Sequence, residues 1–318
     1  MAMADVLVTR VLPAGSVDRL RSHTMIGPNP DDRPLSQEEL VERAAEVDAI
    51  VCLLTDRIDR AVLAAGAGRL KVVANVAVGY DNIDVSAAAE HGIVACNTPG
   101  VLDETTADTA FLLILAAARR AGEAERDLRA GRWAGWGVNQ YLGTDVHGAT
   151  LGVVGWGRIG RAVARRAAGF GMSVLHHARR PTADDGYVAD LDELLQSADI
   201  VSLHVPLTDA TRHLIDRRRL ALMKPAAVLV NTARGPVVDE EALAEALHAR
   251  TIFAAGLDVF EREPAVHPRL LDAPGAVILP HIGSASIQTR TAMARMAVDA
   301  VVAVLSGRTP PNVIGAKP

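Results

Sequence analysis

The sequence predicts an α/β protein with two doubly wound parallel-sheet domains. Short apolar runs, typical of buried strands, alternate with helical stretches along almost all of the 318 residues. A glycine-rich motif follows one apolar run, and the break "NTPG" (97–100) divides the alternation into two series. We therefore expect one domain from residues 1–99 and 285–318 and a second from residues 100–284. A cleft is expected between them, at the carboxyl ends of the strands.

The first series begins with an apolar strand and ends at the "NTPG" break. In order, its segments are "DVLVTRVL", "SQEELVERAA", "AIVCLLT", "DRAVLAAG", "LKVVANVA", "DVSAAAEHG" and "GIVACNT". A long helix is then predicted from about Asp103 to Ala130. Because the start of this helix is almost wholly apolar, it should be buried on several faces.

The second series begins with "ATLGVVGWGRIG" (149–160). It continues through "SVLHHAR", "DLDELLQSA", "DIVSLHVP", "AAVLVNTA", "DEEALAEALHA", "IFAAGLDVF" and "AVILPH". The final segment, "ASIQTRTAMARMAVDAVVAVLSG", has the pattern of an amphipathic helix. We expect this helix to return and pack on the first domain.

Composition and charge exclude several classes of protein. The net charge of −5 argues against a general nucleic-acid binder, which would carry a basic surplus. The most apolar run, "AFLLILAAA", is far shorter than the ~20 residues needed to span a bilayer. The N-terminal segment lacks the pattern of a secretory signal. Cys52 and Cys96 lie in apolar runs, without metal-ligand spacing, so we expect buried thiols, no metal site and a cytoplasmic location.

The glycine motif indicates a dinucleotide-binding site. Gly155, Gly157 and Gly160 have the spacing G-x-G-x-x-G, after an apolar strand and before a helix. The first glycine suits a tight turn, the second lets the backbone approach a pyrophosphate, and the third allows close packing of helix on strand. The helix N-terminus then offers N–H groups to the phosphates.

The strand that follows indicates which dinucleotide binds. An Asp or Glu that would hydrogen-bond the ribose of NAD is expected at its end, but Ala178 stands there, followed by Arg179 and Arg180. Without that carboxylate a 2′-phosphate is not repelled, and a guanidinium can bind it through charge-assisted hydrogen bonds. The sequence therefore favours NADPH, with NADH as the weaker alternative.

Four chemically active residues stand near the ends of three later strands. "LVNTARGPVVDEEAL" carries Arg234, "AAGLDVFEREP" carries Asp258 and Glu263, and "VILPHIGSAS" carries His281. Since the carboxyl ends of parallel strands meet at one edge of a sheet, these side chains should converge on the cofactor cleft.

Together, these segments resemble the D-isomer-specific 2-hydroxyacid dehydrogenases, especially the glyoxylate/hydroxypyruvate reductases, including those that also reduce 2-ketogluconate. The resemblance covers nearly the whole chain. It includes "VGYDNID", "NTPGVLDETTADTAFLL", "GTDVHGATLGVVGWGRIG", "NTARGPVVDEEAL", "AGLDVFEREP" and "PHIGSAS". It implies a flavodoxin-like substrate domain, a Rossmann dinucleotide-binding domain and the reduction of small 2-keto acids to D-2-hydroxy acids.

The resemblance also implies catalytic roles that suit this chemistry. His281 matches the general acid, and imidazole donates protons in the physiological range. Glu263 matches the carboxylate that pairs with the histidine and favours its protonated form. Arg234 matches the residue that binds the substrate carboxylate and polarises the carbonyl. The backbone N–H groups of Val78 and Gly79 match a second contact to that carboxylate.

Further residues are assigned to the cofactor by the same resemblance. Asp258 would contact the nicotinamide carboxamide, and Thr106 would approach the nicotinamide ring. The other residues expected to line the cofactor are Trp156, Arg158, Ile159, His204, Pro206, Thr232, Ala233 and Gly283. Trp156 departs from the smaller apolar side chain that relatives often carry there. Trp133 and Trp136 match an aromatic pair that in some relatives crosses a dimer interface, so a homodimer is expected.

Several alternatives stay open. Within the same class of enzyme they are 2-ketogluconate reduction, phosphoglycerate dehydrogenation and formate oxidation. Outside that class, a non-catalytic dinucleotide-sensing protein could share the fold and keep the same residues. Pocket walls that differ by a methylene change the binding free energy by only ~1–3 kcal/mol, so the sequence alone does not rank the substrates.

Overall fold

The computed structural model describes residues 3–27 and 32–315. The chain divides into two compact units, one within Met1–Leu102 and Ser284–Pro318, the other Asp103–Gly283. The sequence places the boundaries at residues 99–100 and 284–285; residues 1–2, 28–31 and 316–318 of the predicted first domain lie outside the described residues.

The first unit contains a five-stranded parallel sheet. Its strands are β1 (Asp5–Val8), β2 (Thr24–Ile26), β3 (Ala49–Cys52), β4 (Val72–Asn75) and β5 (Val94–Cys96), in the spatial order β2-β1-β3-β4-β5. Helices α1 (Gln37–Ala44), α2 (Arg60–Ala65) and α3 (Val85–Glu90) connect them. This strand order is the flavodoxin-like one expected from the sequence. Strand β2 was not predicted: it is a three-residue edge strand, and Thr24 and Met25 are exposed.

Local sequence explains where these helices begin. Ser36 and Glu39 form a capping box at the start of α1, in which each side chain binds the other residue's backbone N–H. Asp59 and Asp84 cap α2 and α3 by accepting hydrogen bonds from first-turn N–H groups. Strands β3 and β4 are buried along their whole length, as parallel strands covered on both faces must be.

The second unit contains a six-stranded parallel sheet. Its strands are β6 (Thr150–Val154), β7 (Ser173–His177), β8 (Ile200–Leu203), β9 (Val228–Asn231), β10 (Ala254–Leu257) and β11 (Ala276–Ile278). Its helices are α4 (Asp103–Ala118), α5 (Ala121–Arg129), α6 (Arg158–Ala167), α7 (Leu191–Ser197), α8 (Arg217–Leu222), α9 (Glu240–His248) and α10 (Pro268–Leu271). The spatial order is β7-β6-β8-β9-β10-β11, so the chain changes direction across the sheet between β6 and β8. Ligands of such sheets bind at this point. The two parallel sheets confirm the predicted fold class.

The prediction of one continuous helix from Asp103 to Ala130 is wrong, because the segment forms two helices. Helix α4 ends at Ala118, and α5 begins only after Arg120, whose φ of +51° is left-handed. The Arg120 guanidinium binds the Glu123 carboxylate through two hydrogen bonds, of 2.9 and 2.7 Å, which stabilise this turn. The buried face of α4 agrees with the prediction from its apolar start, since most residues from Thr106 to Ala118 are buried.

The last helix, α11 (Ile287–Leu305), packs against β3 and β4 of the first unit. This confirms the prediction that the terminal helix returns to the first domain. The Ser286 hydroxyl caps the helix, and the following segment returns to the sheet, where Val313 pairs antiparallel with Cys96. Among the described residues, none of the helices combines the length and apolar character that crossing a bilayer requires.

Candidate active site

The glycine loop after β6 is shaped by close backbone packing. Gly155 has a φ of +102°, and a Cβ there would lie 2.5 Å from the carbonyl oxygen of His204. A Cβ at Gly160 would lie 2.1 Å from the carbonyl oxygen of Gly155. Both contacts are closer than any side chain permits, so only glycine fits at these two positions.

Gly157 serves a different purpose from the other two glycines. It is the N-cap of α6, and a Cβ built on it would meet nothing within 4 Å among the described residues. The side-chain position of Gly157 therefore borders open space at the N-terminus of α6, beside the point where the sheet changes direction. An anion can approach this helix end closely, which suits the pyrophosphate of a dinucleotide.

Trp156 forms a cluster that accounts for its unusual size in this loop. Its indole ring stacks on the buried His176 ring of β7, with centroids 3.8 Å apart and planes 17° from parallel. Its Nε1–H donates to the carboxylate of Asp184, which also lies 3.3 Å from the guanidinium of Arg161. The cluster ties the segment after β7 to the glycine loop. Asp184 lies six residues beyond Ala178, after the end of β7, so the sequence did not predict it as part of this site.

The end of β7 presents two arginines. Arg179 and Arg180 are exposed, and neither guanidinium takes part in an ion pair among the described residues. Ala178, just before them, is partly buried. The positive charges at this position are therefore available to an incoming phosphate.

The ends of β8 and β9 lie on the other side of the glycine loop. His204 Nε2 lies 2.8 Å from the Ser202 hydroxyl, and burial lowers the pKa of His204 to about 3, so this ring is neutral. Pro206 is exposed on the same loop. After β9, the hydroxyl oxygen of Thr232 is buried and has no hydrogen-bond partner among the described residues. A ligand bound beside the end of β9 would supply a partner for this hydroxyl. Together with the open position at Gly157, these residues suit a dinucleotide.

Asp258, at the end of β10, holds the loop that carries His281. One of its carboxylate oxygens accepts the N–H of Ile282 and the other accepts the N–H of Gly283, both at 2.7 Å. Burial raises the pKa of Asp258, against the effect of these two donors. The backbone N–H of His281 donates to the Asp258 carbonyl at 2.9 Å. A Cβ at Gly283 would lie 3.0 Å from the Asp258 carboxylate and 3.6 Å from the methyl of Thr106, so Thr106 lies beside this loop.

His281 and Glu263 form a directly bonded pair. His281 Nδ1 donates to Glu263 Oε2 at 2.8 Å, and Glu263 Oε1 accepts the N–H of Phe260 at 3.0 Å. Burial acts to raise the pKa of Glu263, but the hydrogen bond and charge of His281, the Phe260 amide and the charge of Arg234 together lower it. Glu263 is therefore an ionised partner for His281.

Arg234 lies on the turn after β9, and that turn is in backbone contact with the loop that carries Glu263. The side-chain amide of Asn231 donates to the Arg234 carbonyl at 2.9 Å, and Arg234 Nη1 donates to the Ala233 carbonyl at 2.8 Å. A Cβ at Gly235 would lie 1.9 Å from the carbonyl carbon of Phe260, so the two loops are in backbone contact. The structure thus brings Arg234, Glu263 and His281 to one edge of the second sheet.

Val78 and Gly79 lie in the first unit, on the loop after β4. Both are partly exposed, and their N–H groups donate to no oxygen among the described residues. The carbonyls around them are bound by Thr98 and by the side chains of Asn75 and Asn97. Neither asparagine was predicted as a site residue from the sequence, although each stands at the end of an apolar strand.

Comparison with known proteins places the chain in a family. Residues 111–283 match the model of the D-isomer specific 2-hydroxyacid dehydrogenase NAD binding domain. The chain is 47% identical to the glyoxylate reductase of Thermococcus onnurineus, over 97% of this chain and 95% of that protein. The chain belongs to the D-isomer specific 2-hydroxyacid dehydrogenase family. The resemblance found from the sequence is thereby confirmed.

Two further members of this dehydrogenase family are similar over nearly their whole length. The glyoxylate reductase of Korarchaeum cryptofilum is 48% identical, over 97% of this chain and 95% of that protein. The crystal structure of an NADPH-dependent glyoxylate/hydroxypyruvate reductase from Sinorhizobium meliloti, in complex with NADP and malonate, has a TM-score of 0.86. It is 35% identical and covers 99% of this chain and 97% of that one. An NAD(P)-dependent dehydrogenase is therefore the class of enzyme to which this chain belongs.

Proposed function

We propose that this dehydrogenase reduces small 2-keto acids, glyoxylate and hydroxypyruvate first, to D-2-hydroxy acids with NADPH. The observation that carries the proposal is the bonded pair of His281 and Glu263, at the same sheet edge as Arg234 and in the same unit as the glycine loop. Relatives named glyoxylate reductase, at 47% and 48% identity over 97% of the chain, support the choice of substrate.

His281 is the proposed general acid. When bound, the reduced nicotinamide supplies a hydride to the carbonyl carbon of the keto acid. The carbonyl oxygen then needs a proton, which the imidazolium of His281 donates. Since Nδ1 is engaged by Glu263 at 2.8 Å, Nε2 is the atom that carries the transferred proton. The ionised Glu263 stabilises the protonated ring before the transfer and fixes its orientation.

Arg234 and two backbone amides are the proposed contacts to the substrate. The guanidinium of Arg234 binds the carboxylate and, as negative charge develops on the carbonyl oxygen, stabilises it. The N–H groups of Val78 and Gly79 are proposed to donate to the same carboxylate. Both kinds of donor suit an anion, which explains why a 2-keto acid, rather than a neutral ketone, is the proposed substrate.

The preference for NADPH is proposed from the end of β7. Arg179 and Arg180 are exposed there without ion pairs among the described residues, and Ala178 replaces the acid that would repel a 2′-phosphate. The relative from Sinorhizobium meliloti is NADPH-dependent and contains NADP in its crystal structure, which supports this choice. NADH is proposed as the weaker substrate.

The same cofactor is proposed to contact the loops after β6, β8 and β9 and the Asp258 loop. The residues proposed to line it are Thr106, Gly155, Trp156, Gly157, Arg158, Ile159, Gly160, His204, Pro206, Thr232, Ala233, Asp258 and Gly283. The buried, unbonded hydroxyl of Thr232 supports this placement, because a bound cofactor would supply its missing partner.

A spectrophotometric panel of 2-keto acids, each assayed with NADPH and with NADH, tests the proposal. We expect rapid oxidation of NADPH with glyoxylate and hydroxypyruvate, and slower reaction with 2-ketogluconate. Replacing His281 by Ala should remove most of the turnover while binding of the substrate survives. Binding of NADPH without turnover of any keto acid would instead indicate a dinucleotide-sensing protein. Unchanged turnover in His281→Ala would remove His281 from the acid role.

A homodimer is proposed from the apolar surface of the second unit. Leu112 and Leu115 on α4 are exposed, as is Leu128 on α5. Trp133 and Trp136 follow, 51% and 84% exposed, which is costly for side chains of this size unless a second copy covers them. Light scattering should give twice the mass of the chain, and replacing Leu112 and Leu115 by Asp should give the single mass. A monomer for the unchanged protein would contradict the proposal.

A cytoplasmic location is proposed from the cysteines. Cys52 and Cys96 are both buried and carry free thiols. Burial raises the pKa of Cys96 to about 12, so its thiol stays protonated and unreactive. Labelling of the native protein with a thiol reagent should be slow for both residues, and a disulfide in the purified protein would contradict the proposal.

A further inference from the structure

The loop after β4 is held by a series of hydrogen bonds to its carbonyl oxygens. The N–H of Thr98 donates to the Ala77 carbonyl at 2.9 Å. The side-chain amide of Asn97 donates to the Val78 carbonyl at 2.7 Å, and that of Asn75 donates to the Gly79 carbonyl at 2.9 Å. Three consecutive carbonyls therefore have fixed directions.

These contacts also fix the direction of the N–H groups in the loop. In a trans peptide unit, the carbonyl of one residue and the N–H of the next point in opposite directions. Holding the Ala77 carbonyl thus sets where the Val78 N–H points, and holding the Val78 carbonyl sets where the Gly79 N–H points. The Thr98 contact comes from the backbone, whereas the Asn97 contact comes from a side chain. Asn97 is therefore the residue through which mutation can release the Gly79 N–H.

Asn75 belongs to a hydrogen-bond network that fixes the orientation of its side-chain amide. It is fully buried, and its two amide hydrogens go to the Gly79 carbonyl and to Asn82 Oδ1, the latter at 3.0 Å. Asn82 in turn donates to the carbonyls of Leu53 at 3.1 Å and Asp56 at 3.0 Å. Since an amide nitrogen has two hydrogens, every side-chain donor of both asparagines is used. The loop is fixed to the turn after β3.

Asn97 is itself held by the chain segment after α11. Its backbone N–H donates to the Asn312 carbonyl at 3.3 Å, and the Asn312 side chain donates to the Asn97 carbonyl at 2.6 Å. The neighbouring Cys96 pairs antiparallel with Val313. The segment around Asn312 therefore keeps Asn97 in place beside the loop after β4.

We propose that Asn97 is a positioning residue for the substrate carboxylate. It holds the carbonyl of Val78, so that the N–H of Gly79 stays aimed at the anion before it binds, while Asn75 fixes the far end of the loop through the Gly79 carbonyl. This inference rests on the proposed function, because it assumes that the loop binds a 2-keto acid. It predicts that Asn97 determines the affinity for the substrate but not that for the cofactor.

The test replaces Asn97 by Ala and compares it with Gln37→Ala. Gln37 also donates its side-chain amide to a backbone carbonyl of the first unit, that of Arg57, but at an exposed position away from the substrate loop. One lost hydrogen bond of this kind should raise the KM for glyoxylate by about 3- to 10-fold. We expect kcat to change less than KM, and NADPH affinity and Tm to stay near those of the unchanged protein. The control should retain the KM of the unchanged protein.

Calorimetry with oxalate, a dicarboxylate that is not reduced, gives a readout without turnover. Its affinity for the NADPH complex should fall in Asn97→Ala by the same factor as KM rises. Asn97→Ser, which keeps a small polar side chain, should give an intermediate value and serves if the Ala variant folds poorly. An active protein whose KM and oxalate affinity are unchanged in both variants would overturn the inference alone. A protein inactive on every keto acid before mutation would overturn the proposed function instead.

Discussion

Replacing Glu263 by Gln removes the charge of the partner of the proposed general acid. The amide has nearly the shape of the carboxylate, and its oxygen can still accept the hydrogen bond from His281 Nδ1, which lies 2.8 Å from Oε2 in Glu263. Its nitrogen then takes the place of Oε1, so the hydrogen bond from the Phe260 N–H is lost together with the negative charge. The variant therefore tests whether ionised Glu263 stabilises the protonated form of the ring.

The size of the effect follows from the kind of hydrogen bond that is lost. A hydrogen bond to a charged group contributes about 1.5–3 kcal/mol, and a neutral one about 0.5–1.5 kcal/mol. The two side chains are only 26% and 30% exposed, so solvent screens the pair weakly. The difference is about 1–1.5 kcal/mol, which corresponds to an about tenfold weaker stabilisation of the protonated ring.

The direction of the change in pH dependence follows from the lowered pKa of Glu263. Burial acts to raise this pKa, but His281, the Phe260 amide and the charge of Arg234 together more than offset it, and His281 contributes the most, so ionised Glu263 and protonated His281 stabilise each other. The contribution of Glu263 to folding is present above its unfolded pKa and is lost as pH falls through the lower folded pKa. For turnover, losing the charge disfavours the protonated ring. The alkaline limb of kcat/KM for glyoxylate should therefore move to lower pH in Glu263→Gln.

The assay measures NADPH oxidation across pH 5 to 10, with Asp272→Asn as the matched control. His248 Nε2 lies 3.7 Å from Asp272 Oδ1, so this is another histidine–carboxylate pair of the same unit, but Asp272 is 79% exposed. In Asp272→Asn, the alkaline limb of kcat/KM for glyoxylate should lie at the same pH as in the unchanged protein. An alkaline limb that stays in place in Glu263→Gln, with turnover retained, would refute the assignment of Glu263 as the charged partner.

Three further predictions concern the cofactor. Gly160→Ala places a Cβ 2.1 Å from the Gly155 carbonyl oxygen, so the loop must move; we expect a lower Tm and NADPH affinity weaker by at least about tenfold, measured by fluorescence titration. Arg179→Asp should lower the ratio of kcat/KM for NADPH to that for NADH by about tenfold or more, and an unchanged ratio would exclude Arg179 from the 2′-phosphate site. Trp156→Phe keeps an aromatic ring but loses the hydrogen bond to Asp184; the Kd of NADPH should rise about 2- to 10-fold, and an equal Kd would show that this contact does not position the loop.

Most of the fold could be predicted because parallel strands covered on both faces are apolar along their whole length. Strands β3, β4, β8 and β9 are buried throughout, and each was located from its apolar run. Strand β2 could not be found in this way, since two of its three residues are exposed. The break at Arg120 was missed for a related reason. A non-glycine residue with a left-handed φ leaves no mark in a pattern of helix-forming residues.

The candidate site also contains features that the sequence predicts and contacts that it does not. The glycine spacing is a recognisable signal, because Gly160 packs against the carbonyl of Gly155 in its own loop and Gly155 packs against the segment after β8. Asp184 reaches Trp156 across 28 positions of the chain, and Asn97 reaches Val78 across 19. Such contacts depend on which strands lie side by side, and the sequence of one segment does not contain that order.

The loops at the proposed active edges of the two sheets are held by groups of opposite hydrogen-bonding character. In the second unit, the Asp258 carboxylate binds two consecutive N–H groups of the loop that carries His281. In the first, amide side chains and an N–H bind three consecutive carbonyls of the loop that carries Gly79. An acceptor side chain thus fixes the loop proposed to present a proton donor, and donor groups fix the loop proposed to present N–H groups to the substrate. Each choice leaves the proposed functional atom itself unbonded by its support. Because a support of the wrong polarity would compete for that atom, exchanging Asn97 for a carboxylate should disturb the first loop more than removing its side chain does.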